Sequence, residues 1–274
     1  MPLRLFCLVA LMIPYWVWIN PARQEPHLSN TNPLPFFYAA VGLAAFLPLG
    51  WWLFSFDRDD CRRSLSRLGL GSITGLLALY AGSVVRARMG EAGDTASVAP
   101  SGPFECFGLL QFLEWTPGVP LWVTIIAYTV EVGLTEEGVK AFTARTDALD
   151  GIRVRGGFGF AAGVGFGISE AILYAVRDYA GVSGWPTYVV RYVSLVGLHA
   201  CMSTTAVLLL PEDWWDPRRW WITVLWLLPM ALLHGTYDAL LSHNLPVWAG
   251  VVGTFIMLLV PVIVWVLEKR NAEP

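Results

Sequence analysis

Residues 157–176 read GFGFAAGVGFGISEAILYAV, and Glu170 is the single charged side chain among these twenty positions. A helix rising 1.5 Å per residue needs about 20 apolar residues to cross the hydrocarbon core of a bilayer. The segment shows no period-two alternation, and an unpaired strand edge cannot face lipid, so it is read as a membrane-spanning helix. Gly159, Gly163 and Gly167 recur every four residues, and Glu170 follows three residues later on nearly the same face. Small residues mark where membrane helices approach one another closely. The acid is therefore expected to face protein and not lipid.

Seven further apolar segments flank this one, at 3–19, 34–55, 69–85, 118–139, 188–210, 219–241 and 247–267. Hydrophobic residues make up 55% of the 274 positions and charged residues 14%, against about a quarter charged in a soluble domain. Fourteen tryptophans fit a chain with two membrane interfaces. The fold expected is all-α: a polytopic transmembrane helical bundle of about eight spans, with six as the fallback, forming one transmembrane domain over residues 1–274. The first segment lacks a small-residue cleavage site and is read as a retained span.

With a cytoplasmic N-terminus, thirteen of the eighteen basic residues fall on the inner side, among them Arg58, Arg62, Arg63, Arg67, Lys140, Arg145, Arg153 and Arg155. That bias places both termini in the cytoplasm of a multi-pass cell-membrane protein. The stretch 86–103 is expected as an outer loop, and 104–117 as a short amphipathic piece at the interface. The basic loop around Arg62 is expected to set topology or touch anionic lipid, with no nucleic-acid partner. The four cysteines include no CxxC pair, so neither a thiolate metal site nor a redox pair is indicated.

Ionisable groups inside spans are costly and are treated as functional candidates. The stretch VEVGLTEEGVK, 130–140, carries Glu136, Glu137 and Lys140, and the lysine lies one helical turn from either acid. A solvated charge cluster at a helix end is the plain alternative there. His199 lies in RYVSLVGLHACMSTTAVLL, 191–209, four residues before Ser203. His234 and Asp238 share a face in LLPMALLHGTYDALL, 227–241, where the acid could orient the ring or both could ligate a metal. Pro229 in the same span removes a backbone donor and invites a kink. Counted from the span ends, Glu170, His199 and His234 come out at similar depth, while Glu136 comes out near the cytoplasmic end.

Carboxylates and histidines with no serine or cysteine paired to a base point to water as the nucleophile. A carboxylate would take its proton, and the histidines would stabilise an oxyanion or hold a divalent metal. Zinc suits such nitrogen and oxygen donors, but no HExxH segment is present, and the choice between zinc and no cofactor stays open. Hydrolysis of peptide bonds in membrane-bound proteins is the activity expected. The rivals are a proton- or cation-coupled transporter or channel, disfavoured by the lack of repeats, and a non-catalytic membrane scaffold, disfavoured because every key residue is present.

The ordered set Glu136-Glu137-x-x-Lys140, Phe166-x-x-x-Glu170, His199 and His234-x-x-x-Asp238, on separate apolar helices, resembles the PrsW family of intramembrane proteases. That family is related to the CAAX prenyl endopeptidases and the Abi-type (CPBP) membrane proteases. The resemblance implies a catalytic core within 118–241 and Glu136 as water activator beside Glu137. It implies catalytic roles for Glu170, His199, His234 and Asp238, with Lys140 and Phe166 in support. Glu170, His199 and His234 are the ligands if a metal is used. Glu170 and Asp238 stand where the prenyl endopeptidases have histidine and asparagine, which favours the PrsW side, whereas Ala171 replaces the asparagine common after the second-motif glutamate. The implied partners are the lipid bilayer and a membrane-protein substrate such as a single-span anti-sigma-factor-like protein.

Overall fold

In a computed structural model of the chain, residues 50, 54, 60, 62–77, 118–145, 151–177, 191–211, 218 and 220–272 are described, and every regular element among them is helical. Helix α1 covers 62–77. Helix α2, Leu121–Tyr128, passes through a π-helical turn, Thr129–Gly133, into α3, Leu134–Thr143. Helix α4 is Ile152–Arg177, and a second π-helical turn, Arg191–Leu195, leads into α5, Val196–Leu209. Helices α6, Trp220–Ser242, and α7, Pro246–Ala272, close the described chain. The first two expected spans, apart from residues 50 and 54, and the stretches 86–103 and 104–117 lie outside the described residues.

Local chemistry sets the helix ends. Pro120 precedes α2, and its carbonyl accepts from the amides of Val123 and Thr124 at 2.9 and 3.2 Å. The α6–α7 turn is a Schellman arrangement: Asn244 takes φ 56°, Leu245 N donates to Leu240 O at 2.8 Å, and Asn244 N donates to Leu241 O at 3.0 Å. Asparagine tolerates the left-handed conformation better than most residues, and Pro246 then opens α7. Arg155 Nη2 donates to the carbonyls of Val207 and Leu210 at 3.0 and 2.7 Å, capping the end of α5 with a cation.

Helix α5 is the axis of the bundle, with Val196 through Leu208 all buried. Such a helix must be covered on every side, and α4, α6 and α7 pack around it. The expected glycine face does the packing: a Cβ at Gly163 would lie 2.7 Å from Ala200 Cα, and one at Gly159 2.8 Å from Thr204 Cα. On its opposite side α4 meets α1, where Ser72 Oγ donates to Gly165 O at 3.1 Å and Ser169 Oγ donates to Ser72 O at 2.8 Å. By contrast α6 and α7 expose Trp221, Leu225, Trp226, Leu232, Trp248, Val251, Phe255 and Val262. Among the described residues, Trp221–Ser242 and Pro246–Arg270 are long and apolar enough to cross a membrane.

The helices differ from the sequence reading at several points. Helix α1 begins by 62 and not 69, so Arg62, Arg63 and Arg67 lie on a helix and not in a loop. The Arg63 and Arg67 guanidinium carbons stand 4.7 and 5.6 Å from the Phe158 ring centroid, which gives their charge a partner within the fold. Helix α3 continues past the expected end at 139 to Thr143, because the carboxylates and lysine of this turn are paired by protein and do not need water to end the span. Helix α6 runs through Pro229 without a break.

Because the α4–α5 contact is backbone against backbone, Gly163→Leu is expected to cost at least the roughly 1–3 kcal/mol typical of overpacking. A clear drop in the thermal unfolding midpoint in detergent, relative to Gly138→Ala, where a Cβ meets nothing within 4 Å, checks this.

Candidate active site

The glutamate pair opens α3 directly after the π-helical turn, and that turn lies hard against α6. A Cβ on Gly133 would stand 2.9 Å from the Ala231 carbonyl carbon, and one on Gly235 would stand 2.7 Å from Thr129 Cα. Only glycine at these two positions lets the backbones approach so closely, and the approach brings Glu137 of α3 beside His234 of α6. Glycines 163 and 167 do the same for α4 and α5, so that Glu170 meets His199.

Lys140 is the hub. Its side chain is 0% exposed, and its Nζ lies 2.6 Å from Glu137 Oε1, 3.5 Å from Glu136 Oε2 and 2.9 Å from His199 Nδ1. The ammonium also stands 4.8 Å from the Phe166 ring centroid, and Phe166 packs on His199 with centroids 5.4 Å apart. An ammonium has three donors and no lone pair, so His199 Nδ1 must accept. The ring proton of neutral His199 is then on Nε2, which faces Glu170 Oε2 at 2.5 Å.

The same accounting orients His234. Its Nδ1 donates to Glu137 Oε1 at 2.9 Å. In the neutral ring this leaves Nε2 as the lone-pair nitrogen, and it faces Asp238 Oδ2 at 3.5 Å and Glu136 Oε2 at 3.8 Å. A lone pair aimed at two carboxylate oxygens is repulsive unless a proton or a cation lies between them. Glu136 Oε2 is buried without a hydrogen-bond partner, and three nitrogens surround it at 3.5 to 3.9 Å, those of Lys140, His234 and His199.

A metal would suit this donor set. Glu136, His199 and His234 each offer an atom, and the three atoms lie within 4.8 Å of one another. Each histidine also has a carboxylate on its other nitrogen, Glu170 for His199 and Glu137 for His234. That is the outer-shell arrangement that orients metal-binding imidazoles. Glu170, expected as the acidic ligand, thus sits on the far nitrogen of His199, and Glu136 is the acid within reach of both rings.

All eight residues singled out from the sequence, Glu136, Glu137, Lys140, Phe166, Glu170, His199, His234 and Asp238, are joined in one network. The depth mismatch expected for Glu136 is absent, because the helix ends are staggered: α3 ends seven residues after Glu136, while α4 runs eighteen residues before Glu170. The reading of a solvated charge cluster is overturned by the full burial of Glu137 and Lys140. Lys140 consequently drops out of the inner basic residues that bear on topology.

Two pairings were not visible in the sequence. His234 was expected to take its orientation from Asp238 one turn away, but the short bond comes from Glu137. Lys140 was expected to pair along its own helix, yet it also crosses to His199. Helical spacing predicts partners on one helix only, and no local signal marks a partner on another. Ser203, one turn beyond His199, is buried with its hydroxyl unpartnered. Cys201 is a buried free thiol, and His243 lies outside the network, 3.0 Å from Thr124 Oγ1.

The model of PrsW family intramembrane metalloproteases matches residues 107–267, more than half of the chain. The chain belongs to this family. No curated protein and no solved structure matches it. As a PrsW family member it is an intramembrane protease and resides in a membrane, with membrane proteins as its substrates. The matched stretch contains every residue of the network.

Glu137 answers two buried donors with one oxygen, so Glu137→Ala leaves an ammonium uncompensated. Breaking a buried pair from one side costs about 3–5 kcal/mol. Thermal unfolding in detergent should show Glu137→Ala far less stable than Glu136→Gln, which removes the longer 3.5 Å ion pair to Lys140 and no short hydrogen bond.

Proposed function

We propose that the chain is a multi-pass endopeptidase of the cell membrane that hydrolyses peptide bonds of membrane-bound proteins with water as nucleophile, and that Glu136 activates the water. The observation that carries this reading is the buried Glu136 oxygen, unbonded and ringed by Lys140, His199 and His234. A carboxylate in that position can accept a proton from water, and the surrounding donors oppose the negative charge that develops on the attacked carbonyl. Glu137 fixes Lys140 and the His234 ring, and Glu170 fixes His199. Asp238, the more exposed acid with 26% of its side chain accessible, faces the approach to His234 Nε2.

In the alternative form of the site a divalent metal would be held by Glu136, His199 and His234, Glu136 then serving as ligand in place of free base, and zinc is the best match to these donors. When bound, such an ion supplies Lewis acidity and a more acidic water. The donor set supports a cation here: the buried carboxylic groups of Glu136, Glu137 and Glu170 outnumber the one ammonium of Lys140, and buried charge of one sign must be offset.

The wider architecture belongs to the same proposal: about eight spans with both termini cytoplasmic, one transmembrane domain, a catalytic core over 118–241, and kinship with the CAAX and Abi-type proteases. A single-span anti-sigma-factor-like protein is the substrate class that membership of the PrsW family favours.

In liposomes with a panel of single-span substrates, Glu136→Gln and His234→Ala should each lose roughly 100-fold or more in cleavage rate, the scale of general acid–base catalysis, while remaining folded. Unchanged cleavage in both variants would sink the assignment. Metal analysis of the same active preparation should find about one divalent ion per chain, and full activity without one would remove zinc from the account.

A further inference from the structure

We infer that Lys140 is an internal cation that competes with a divalent metal for the site, so that loading the metal requires its ammonium to leave His199. The inference rests on the proposed metal set and deepens it. His199 Nδ1 lies 3.9 Å from Glu136 Oε2 and so turns toward the acid that would complete the metal's ligands, yet that nitrogen already accepts from Lys140 Nζ at 2.9 Å. The same ammonium stands 3.5 Å from Glu136 Oε2. Two of the three candidate ligands are therefore already turned toward a positive charge that belongs to the chain. A neutral imidazole nitrogen has one lone pair, so His199 Nδ1 serves the lysine or the metal and not both.

The lysine can give way. Its ammonium sits on a flexible four-carbon stem, and Glu137 Oε1 at 2.6 Å and the Phe166 ring at 4.8 Å remain as partners once His199 is released. Glu137 is itself tied to His234, so the displaced ammonium stays in the network and does not become an unpaired buried charge. The consequence is a site that folds without metal, its excess negative charge partly balanced by Lys140, and that binds metal more weakly than its donors alone would allow.

The test is metal binding by the purified full-length chain in detergent, with Co²⁺ as the probe because its visible absorption reports ligand geometry. Lys140→Met removes the competing charge and should bind Co²⁺ at least tenfold more tightly than wild type, with bands that disappear in His234→Ala. Lys140→Arg keeps a cation in place and should stay near the wild-type affinity. Lys140→Gln, which keeps a hydrogen-bond donor without charge, should bind more tightly as well, and it carries the test if the methionine variant does not fold. Affinity equal to or weaker than wild type in the uncharged variants, or no Co²⁺ binding in any of them, would overturn the inference. Because the readout is binding, a failure here with Glu136-dependent cleavage intact removes the competition and leaves the protease reading standing. Loss of Glu136 dependence with the competition intact does the reverse.

Discussion

An ammonium removed from water must be answered by groups within a few ångströms, and Lys140 is that group in this chain. Desolvating it is costly, and the cost is offset by the short contact to Glu137, the bond to His199, the nearby carboxylate of Glu136 and the Phe166 ring. Each answer fixes something else. Glu137 is held where it also receives His234, and His199 is held in the tautomer that turns its other nitrogen to Glu170. One buried charge thereby specifies the orientation of two imidazoles on two further helices, and it leaves Glu136 Oε2 without a hydrogen bond among three surrounding nitrogens.

The bundle supplies the low-dielectric setting that makes this network strong. Backbone contact at Gly133, Gly163 and Gly235 lets α3, α4, α5 and α6 approach closely enough for short side chains to meet. Both π-helical turns sit just before a helix that carries site residues, where a change of winding re-aims the side chains that follow. Helices α6 and α7 turn large apolar side chains outward, a surface suited to lipid.

Much of this was legible in the sequence. The twenty residues from Gly157 specified a helix, its packing face and an acid on that face, because glycine spacing and hydropathy are local properties. That these ionisable residues belong together was legible too, since such residues in apolar helices are few. The wiring was not: Glu137 to His234 and Lys140 to His199 cross between helices, and residue spacing carries no information about which helix lies opposite. Nor was the depth of Glu136, which depends on how far each helix extends beyond the common layer. Arg62, Arg63 and Arg67 were misread as loop because charge was taken to end a span, whereas Arg63 and Arg67 lie over Phe158 on a continuing helix.

The central claim is that these helices assemble one site that cuts peptide bonds at the membrane. Mass-spectrometric mapping of the products formed from a single-span substrate co-reconstituted with the wild-type chain in liposomes tests it most directly. A defined new terminus within the substrate's apolar segment or at its border is expected. Cleavage confined to the substrate's soluble regions, or no cleavage by a folded chain across a panel of such substrates, would contradict it.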